Sequence, residues 1–379
     1  MLKDYQNKAE LIIDWERALE VILKLIEEAE LTIKIRMYMW RDDESGRLII
    51  NSLNQKIKSC PNIKIYIEKD AFWTTVYNFQ KFISIWRLWW DIFNTKIWME
   101  FISNEKNVFF KNIWTWSFFL FKYIKENNHS KVYLFDENTS SSKMLIGWMN
   151  ISDEYLTPQN KLEPSKWGWH DYMVLITWEL SKNIYSHEFK KHKRFFARKW
   201  KEWMSILMNI KSNQLIRKEL IREFYRARKN IIIEHWYLTD NIIIRKLKKI
   251  SQKWVKVQII MPDESDGVYH ANMHSIYKLL KPSLINKREQ DMEIYLYKGM
   301  IHAKVILIDE YTTIIGSANL TNWSFDILNE TNAVFRQKNG ITKDLLKQLR
   351  LDIKNCTRIT LWNIPKYNRW IAWLQKIFI

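Results

Sequence analysis

Short runs of branched and aromatic residues, separated by stretches of helical periodicity, recur along the chain. LTIKIRMYMW (31–40) and NIKIYIEKD (62–70) are strand-like and flank one helical stretch. NIIIEHWYLTD (230–240) and VKVQIIMPD (255–263) flank a second one, NIIIRKLKKISQK. Strand–helix–strand order is typical of parallel α/β units. The repeat predicts an internal duplication: an α/β fold of two similar lobes, each a mixed, mostly parallel sheet flanked by helices.

We expect the lobes at residues 1–205 and 206–379, with the active site at the interface between them. The stretch 187–228, which includes HEFKKHKRFFARKWKEW, is predicted to be helical and to connect the lobes. Its bases and aromatics would suit a lipid- or nucleic-acid-facing surface, although a solvated helix face is the simpler interpretation. The aromatic tract 83–123 is interrupted by charged residues every few positions, so we do not expect it to span a membrane.

Composition narrows the class of protein. Of 379 residues, 47% are apolar and 27% charged, which suits a folded globular chain. A formal net charge of +18 favours an anionic partner, either nucleic acid or an anionic lipid surface, although codon bias would produce the same balance. Cys60 and Cys356 match no metal spacing and are expected to be free thiols. The first thirty residues lack an apolar signal or anchor segment, so we expect a cytoplasmic protein.

Each predicted lobe holds one copy of the pattern H-x-K-x4-D. The first copy, HSKVYLFD (129–136), is followed after a polar hairpin by GWMN (147–150). The second, HAKVILID (302–309), is followed by GSAN (316–319). On a strand the side chains alternate with a period of two, so histidine and lysine project from the same face and can converge on one ligand. A single copy is a weak signal, whereas two copies in equivalent places are a strong one.

These residue types suit phosphoryl chemistry. An imidazole can attack phosphorus, and a neighbouring lysine neutralises the non-bridging oxygens as charge develops. Two imidazoles allow one to attack and the other to protonate the leaving oxygen. The candidate catalytic residues are His129, Lys131, Asp136, His302, Lys304 and Asp309. The turns that follow supply candidate phosphate ligands, Asn150, Ser317 and Asn319, and the chemistry requires neither a metal nor another cofactor.

The two patterns resemble the paired HKD motifs of the phospholipase D superfamily. Within it, the chain resembles the bacterial cardiolipin synthase branch over nearly its whole length. YMWRDDESGRLI (38–49), WHDYMVLI (169–176) and GSANLTNWSFDILNETNAVF (316–335) carry much of that likeness, together with NISDEYL (150–156) and VKVQIIMP (255–262). The resemblance implies a phosphohistidine mechanism.

By that resemblance, His129 is the nucleophile, and His302 acts first as acid and then as base. An acid downstream of each motif orients its histidine in this superfamily, and the matching positions here are Asp171 and Glu330. For Asp136 and Asp309, a role in holding the turn after the motif strand is preferred to contact with phosphate.

One position departs from the superfamily pattern. Trp148 stands where a second small residue is expected after Gly147, and an indole there would fill the phosphate pocket or force the turn apart. The chain also has 7 Gly and 21 Trp, where roughly 27 Gly would be usual. Our hypothesis is that many tryptophans, including Trp148 and Trp254, are glycines encoded by UGA and translated with a code that reads this codon as tryptophan. Trp370 and Trp373 fit as genuine tryptophans.

The leading function is a phosphatidyltransferase that moves a phosphatidyl group between phosphatidylglycerol molecules and releases cardiolipin and glycerol. The protein would act on anionic phospholipid as a peripheral protein on the inner face of the cell membrane. Phospholipase D-type hydrolysis uses the same residues, so the motifs do not separate an alcohol acceptor from water. A nuclease and a non-catalytic scaffold are further alternatives, and nucleic acid is the less favoured partner. With both motifs in one chain, a monomer is sufficient for a complete site.

Overall fold

A computed structural model describes residues 9–70, 106–113, 129–156, 168–177, 204–210, 213–264, 267–282, 290–336 and 340–377. The described residues fall into two compact units. The N-terminal unit contains residues 9–70, 106–113, 129–156 and 173–177, and the C-terminal unit contains 168–172 and the described residues from 204 onward. No helix in the described part of the chain is both long enough and apolar enough to cross a membrane.

The described part of the N-terminal unit is built on one sheet of seven strands with two helices. Its elements are β1 (Ala9–Ile13), α1 (Trp15–Glu28), β2 (Thr32–Met37), α2 (Glu44–Ser59), β3 (Lys64–Asp70), β4 (Val108–Ile113), β5 (Lys131–Phe135), β6 (Lys143–Gly147) and β7 (Tyr172–Thr177), with a 3-10 turn at Asp153–Tyr155. The strand order is β1-β7-β6-β5-β2-β3-β4. Residue 172, at the start of β7, groups with the C-terminal unit.

The C-terminal unit is built on one sheet of nine strands with six helices in its described part. Its elements are β8 (Met204–Ile210), β9 (Asn213–Gln214), α3 (Leu215–Arg226), β10 (Asn230–His235), α4 (Asn241–Ser251), β11 (Lys256–Pro262), α5 (Tyr269–Leu280), β12 (Met292–Tyr297), β13 (Lys304–Ile308), β14 (Thr312–Gly316), α6 (Asn322–Asp326), β15 (Glu330–Arg336), α7 (Gly340–Lys354), β16 (Cys356–Ile359) and α8 (Arg369–Ile377). The strand order is β16-β12-β11-β10-β13-β14-β15-β8-β9.

The two sheets share one topology. Read from β4, the first sheet runs β4-β3-β2-β5-β6-β7-β1, and the central part of the second runs β12-β11-β10-β13-β14-β15-β8. The pairings also correspond, because β2–β3–β4 and β10–β11–β12 are parallel while the motif strands β5 and β13 run antiparallel to β2 and β10. The predicted duplication in the α/β class is confirmed.

The predicted, mostly parallel strand pairing is found in only part of each sheet. The pairings β5–β6, β6–β7, β13–β14 and β14–β15 are antiparallel. For β5–β6 and β13–β14 the reason is that the motif strand returns through a short connection, which can join only antiparallel neighbours. The sheets are therefore mixed, with the parallel pairs at β2–β3–β4 and β10–β11–β12.

The aspartate of each motif binds backbone N–H groups at the start of the neighbouring central strand. Asp136 lies in the left-handed region at φ 48°, and its Oδ1 accepts from the backbone N–H groups of Leu31 and Thr32 at 2.7 and 3.0 Å. Asp309, at φ 53°, accepts from Lys229 N at 2.7 Å and Asn230 N at 3.0 Å. Each carboxylate thus satisfies the exposed donors at the start of the neighbouring central strand. This geometry fixes the register of β5 on β2 and of β13 on β10.

Apolar packing holds each unit together. In the N-terminal unit, α1 buries one apolar face against the sheet, and the indole N–H of Trp15 donates to Ser45 Oγ at 2.9 Å. In the C-terminal unit, one continuous core is filled by residues of α3, α4, α5 and both halves of the sheet. Such contiguous cores are what each domain needs to stay folded.

Further expectations from the sequence concern the cysteines, the aromatic and basic stretches, and the boundary between the lobes. Cys60 and Cys356 are free thiols. Of the stretch 187–228, predicted to be helical, residues 187–203 lie outside the described residues, as does most of 83–123. The helical prediction is wrong for β8 and β9 and holds for α3. The proposed boundary between residues 205 and 206 falls within β8, a strand that pairs with β15 of the C-terminal sheet.

The backbone at position 254 bears on the glycine hypothesis and gives a test. Trp254 has φ 70° in the turn after α4, and its side chain is 87% exposed. Because a Cβ is strained in the left-handed region, we expect Trp254→Gly to raise the free energy of unfolding by about 1 kcal/mol, measured by chemical denaturation. Trp362→Gly is the matched control, since Trp362 is 96% exposed and is not held at positive φ. A destabilised Trp254→Gly protein would contradict the strain argument.

Candidate active site

The second motif places His302 in a fully enclosed position with a carboxylate on one ring nitrogen. His302 is 2% exposed, and its Nδ1 lies 2.8 Å from Asp171 Oδ2. Asp171 is itself 0% exposed, and its Oδ1 accepts from Tyr172 N at 2.8 Å. A carboxylate in this position holds the Nδ1–H tautomer and leaves Nε2 as the nitrogen that can exchange a proton with a ligand.

The resemblance implies that each histidine is oriented by the acid downstream of its own motif, and the structure corrects this pairing for Asp171. Asp171 follows the first motif in sequence but binds the histidine of the second. A short bridge explains it, because His170 pairs with Ile301 and its carbonyl oxygen accepts from His302 N at 2.8 Å. The segment 168–171 therefore runs beside the start of the second motif, although about 130 residues separate the two.

The lysine of each motif is buried and turned back onto the histidine. Lys131 Nζ donates to His129 O at 2.9 Å, and Lys304 Nζ makes the same contact with His302 O. Lys131 is 0% exposed and Lys304 3% exposed. Each ammonium is therefore held against the motif backbone on the histidine's side, where it can balance negative charge on a ligand.

An aromatic residue that sequence analysis did not select packs on each motif. Tyr38 directly follows β2, with its ring 4.2 Å from the His129 ring and 4.9 Å from Lys131 Nζ. Trp236 directly follows β10, with its ring 4.2 Å from the His302 ring and 4.6 Å from Lys304 Nζ. Such contacts fix the imidazole plane and hold the cation. The equivalent places of Tyr38 and Trp236 in the repeat are the signal by which the sequence could have identified them.

The turn after the second motif is held by a buried acid. Ser317 Oγ donates to Glu330 Oε2 at 2.5 Å, and Ser324 Oγ donates to Glu330 Oε1 at 2.6 Å. Ser324 Oγ also accepts from Asn319 N at 2.9 Å. The structure thus brings Glu330 to the predicted phosphate-binding residues Ser317 and Asn319, where it organises their turn.

Glycine is required at the start of this turn. A Cβ at Gly316 would stand 2.4 Å from Asn332 Cα and from Thr331 O, which no backbone shift of ordinary size relieves. Beyond it, Asn319 is 6% exposed, and its side-chain Oδ1 is buried without a hydrogen-bond partner among the described residues. This oxygen therefore retains the capacity to accept a hydrogen bond.

The first motif has the same histidine–lysine arrangement, but a large side chain takes the place of the serine that follows the second motif. Trp148, in the place that Ser317 takes in the second motif, is 1% exposed. Its ring lies 4.1 Å from the His129 ring in an edge-on contact and 3.2 Å from Lys131 Nζ. The indole therefore occupies the space beside the imidazole and the ammonium where a small residue would leave room for a ligand.

Asn150, the third predicted phosphate ligand, makes two side-chain contacts. Its Oδ1 accepts from Met39 N at 3.3 Å, and its Nδ2 donates to Tyr155 Oη at 3.5 Å. Asn150 is 5% exposed. Both contacts are long, so they hold the amide in place weakly.

The charge around the second motif depends on burial. His235 ends β10 opposite Lys304 and is 1% exposed. Burial, with a further contribution from the Lys304 charge, lowers the pKa of His235 well below its ordinary value. His235 is therefore neutral, and the positive charge on this strand pair resides on Lys304.

A second polar cluster lies directly behind the His302 site. Among the described residues, His170, Glu234 and Asp352 form the group whose metal-ligating atoms converge, all within 4.8 Å of one another. The hydroxyl of Tyr172 stands between them, 2.9 Å from His170 Nε2 and 3.1 Å from each carboxylate. Because the phenol oxygen takes the place that an ion would need, the arrangement is a hydrogen-bonded network. Glu234 was missed, although a glutamate within the apolar run NIIIEH is a recognisable signal.

Comparison with known sequences identifies relatives. Residues 220–354 match the family model described as "Cardiolipin synthase, PLD-like domain". The chain is 24% identical to the cardiolipin synthase of Clostridium perfringens (strain 13 / Type A), over 95% of this chain and 73% of that protein. It is 23% identical to the cardiolipin synthase of Listeria innocua, over 94% of this chain and 72% of that protein.

Comparison with solved structures agrees on the fold. Phosphatidylserine synthase from Haemophilus influenzae superposes with a TM-score of 0.72 at 13% identity, covering 99% of this chain and 96% of that one. Polyphosphate kinase from Porphyromonas gingivalis superposes with a TM-score of 0.58 at 11% identity, covering 100% of this chain and 53% of that one. At these identities the likeness is one of fold.

The contact of Trp148 with the first motif gives a test that needs no substrate. We expect Trp148→Ser, which reproduces the small residue of the second motif, to bind inorganic phosphate about 10-fold more tightly, because it uncovers the Lys131 ammonium and the His129 ring. Isothermal titration calorimetry measures the affinity, and circular dichroism checks the fold. Trp254→Ser is the control. Unchanged phosphate affinity in a folded Trp148→Ser protein would show that the indole does not obstruct the pocket.

Proposed function

We propose that this chain, which is similar along nearly its whole length to bacterial cardiolipin synthases, is a phospholipase D-like phosphatidyltransferase that acts on phosphatidylglycerol. The observation that carries the proposal is the duplicated histidine–lysine frame, each copy closed by an aromatic ring. The carboxylate on His302 Nδ1 supports it further, since that contact prepares an imidazole for proton transfer.

In the proposed reaction, His129 attacks the phosphorus of one phosphatidylglycerol. The bond between phosphorus and the headgroup glycerol oxygen breaks, and His302 donates the proton that this oxygen takes as glycerol leaves. The phosphatidyl group is then held on His129. His302, now neutral, accepts the proton of a hydroxyl on a second phosphatidylglycerol, and that oxygen attacks phosphorus. Cardiolipin forms, and His129 is restored.

The remaining motif residues have supporting roles in this scheme. Lys131 and Lys304 balance the charge that builds on the non-bridging oxygens. Ser317, Asn319 and Asn150 would bind those oxygens. Asp171 stabilises the charged form of His302, and Glu330 holds the turn that carries Ser317. Asp136 and Asp309 act through the backbone that they bind.

The proposal is tested by incubating labelled phosphatidylglycerol vesicles with the Trp148→Ser protein and with the same protein carrying His129→Ala. We expect cardiolipin and free glycerol only from the chain that keeps His129, with loss of at least about 10³-fold in rate on its removal, because no other imidazole takes over attack on phosphorus. The covalent intermediate is sought as an acid-labile, base-stable phosphohistidine at position 129.

Each other product identifies a different function. Phosphatidic acid without cardiolipin would make water the acceptor and the protein a phospholipase D-type hydrolase. Cleavage of DNA without any lipid product would favour the nuclease alternative, which the net charge of +18 also suits. Full activity after His129→Ala would overturn the proposed nucleophile.

We also propose that the protein acts at an anionic membrane surface, on the inner face of the cell membrane. This is supported by an apolar stripe on α8, formed by Trp370, Trp373, Leu374 and Ile377 at helical spacing, whose members are 48–77% exposed. The opposite face of α8 packs on α5 and buries Ala372. The exposed bases Lys366 and Arg369 lie beside the stripe and complement anionic headgroups.

Vesicle co-sedimentation tests this surface. We expect the double variant Trp370→Ser/Trp373→Ser to bind phosphatidylglycerol vesicles about 10-fold more weakly, because two interfacial indoles no longer leave water. Trp254→Ser removes a more exposed indole elsewhere and serves as the control. Equal losses in both proteins, or equal binding to neutral phosphatidylcholine vesicles, would contradict α8 as the docking surface.

A further inference from the structure

The buried cluster of His170, Tyr172, Glu234 and Asp352 contains more hydrogen-bond acceptors than the single proton of the Tyr172 hydroxyl can satisfy. Tyr172 Oη lies 3.1 Å from Glu234 Oε2 and 3.1 Å from Asp352 Oδ2, and 2.9 Å from His170 Nε2. Glu234 is 0% exposed and Asp352 2% exposed, so water does not separate the groups. A phenol has one proton to donate and two lone pairs to accept with.

If both carboxyl groups were ionised, Tyr172 could donate to only one, and the other oxygen would face a phenol lone pair at 3.1 Å. One protonated carboxyl removes the conflict. His170 Nε2–H and the protonated carboxyl then donate to the phenol oxygen, and the phenol donates to the ionised carboxylate. Every proton and lone pair at Tyr172 Oη has a partner in this arrangement.

The proton belongs on Glu234 rather than on Asp352. Asp352 Oδ1 accepts from Gln348 Nε2 at 2.8 Å, which stabilises its charge. Glu234 Oε1 is buried without a hydrogen-bond partner among the described residues. Burial, with the nearby Asp352 charge, raises the pKa of Glu234 well above its ordinary value of 4.5. Glu234 is thus the group for which ionisation is most costly.

The cluster is joined to the catalytic frame through three consecutive residues. His170 and Tyr172 send their side chains into the cluster, and Asp171 between them sends its carboxylate to His302 Nδ1. The His170 backbone also bonds Met300 O and His302 N, at 3.0 and 2.8 Å. A shift of His170 or Tyr172 would therefore move the Asp171 carboxylate relative to the imidazole.

We propose that Glu234 is a positioning residue, a buried carboxyl group that remains protonated at neutral pH and, through Tyr172 and His170, holds Asp171 on His302. The catalytic readout of this proposal rests on the proposed function, whereas its stability and spectroscopic readouts do not. The role differs from that of Asp171, because Glu234 touches neither the imidazole nor the reacting atoms.

The titratable groups that face Glu234 are few. His170 approaches from the segment before β7, Tyr172 from the first residue of β7, Asp352 from α7, and the Cys356 thiol, whose pKa is raised by burial, from β16. The strands that flank β10 present Ile260 and Val305 as its register partners, both apolar. Cys356 is a neutral thiol, so no described cation besides His170 faces the carboxyl group.

The first experiment compares the thermal stability of wild type, Glu234→Gln and Glu293→Gln from pH 5 to pH 9. A carboxyl group whose pKa is raised on folding stabilises the protein fully below its ordinary pKa of 4.5, and this contribution is lost as pH rises through the folded pKa. We expect wild type to lose stability relative to Glu234→Gln as pH rises, because glutamine cannot ionise. Glu293→Gln, on β12 of the same sheet, should track wild type, since salt bridges and hydrogen bonds stabilise its charged form and lower its pKa.

The second experiment follows His302 itself. In protein labelled with ¹⁵N-histidine and assigned with His302→Ala, the Nδ1 proton signal should be unchanged by Glu234→Gln and shifted or broadened by Glu234→Ala. In the lipid assay, Glu234→Ala should lower kcat by about 10²-fold with little change in KM, and Glu234→Gln should restore most of it. This split is not expected of a merely structural carboxyl, whose removal would act on stability alone.

Three outcomes would overturn the proposal: a wild-type stability profile parallel to that of Glu234→Gln across the pH range, a His302 Nδ1 signal that Glu234→Ala leaves unchanged, or a stoichiometric metal ion in purified wild type that Glu234→Gln lacks. If the Trp148→Ser protein makes no lipid product, the proposed function fails while the pH profile and the Nδ1 signal still decide the role of Glu234.

Discussion

The hydrogen bond between Asp171 and His302 is the contact on which the arrangement of the candidate site in the C-terminal unit depends. A buried carboxylate is costly unless its charge is matched, and the imidazole Nδ1–H is the donor that matches it. Satisfying it requires the segment 168–172 to lie along the start of the second motif, where the His170 backbone pairs with residues 300–302. Residues that are distant in sequence are thereby brought together beside His302.

Duplication explains why the frame can be recognised twice. In each unit an aspartate at positive φ binds the first amides of the central strand, a lysine donates to the carbonyl of its histidine, and an aromatic ring after the central strand packs on both. These contacts are local to one sheet, so each copy keeps them independently. The copies differ where a ligand would bind, with Ser317 in one and Trp148 in the other.

Trp148 and Trp254 illustrate different reasons for expecting glycine or another small residue. At Trp254 the reason is backbone conformation, since a left-handed φ strains any residue with a Cβ. At Trp148 the reason is volume, because the indole stands against the groups that would meet a phosphate. Both observations fit the hypothesis that UGA codons for glycine were translated as tryptophan. The exposed stripe on α8 is different, because its tryptophans recur at helical spacing with Leu374 and Ile377.

The sequence alone determined the α/β class, the duplication and the two motifs, because strand periodicity and the spacing of histidine and lysine are local properties. It also indicated Asp171 and Glu330 as important acids. The tertiary structure decided which partner each acid meets: Asp171 binds the histidine of the other motif, and Glu330 holds the turn with Ser317 and Ser324. It also decided that the pairings β5–β6, β6–β7, β13–β14 and β14–β15 are antiparallel. It brought Glu234, Asp352, His170 and Tyr172 into one buried network. Such contacts follow from long-range packing, which no local pattern of residues encodes.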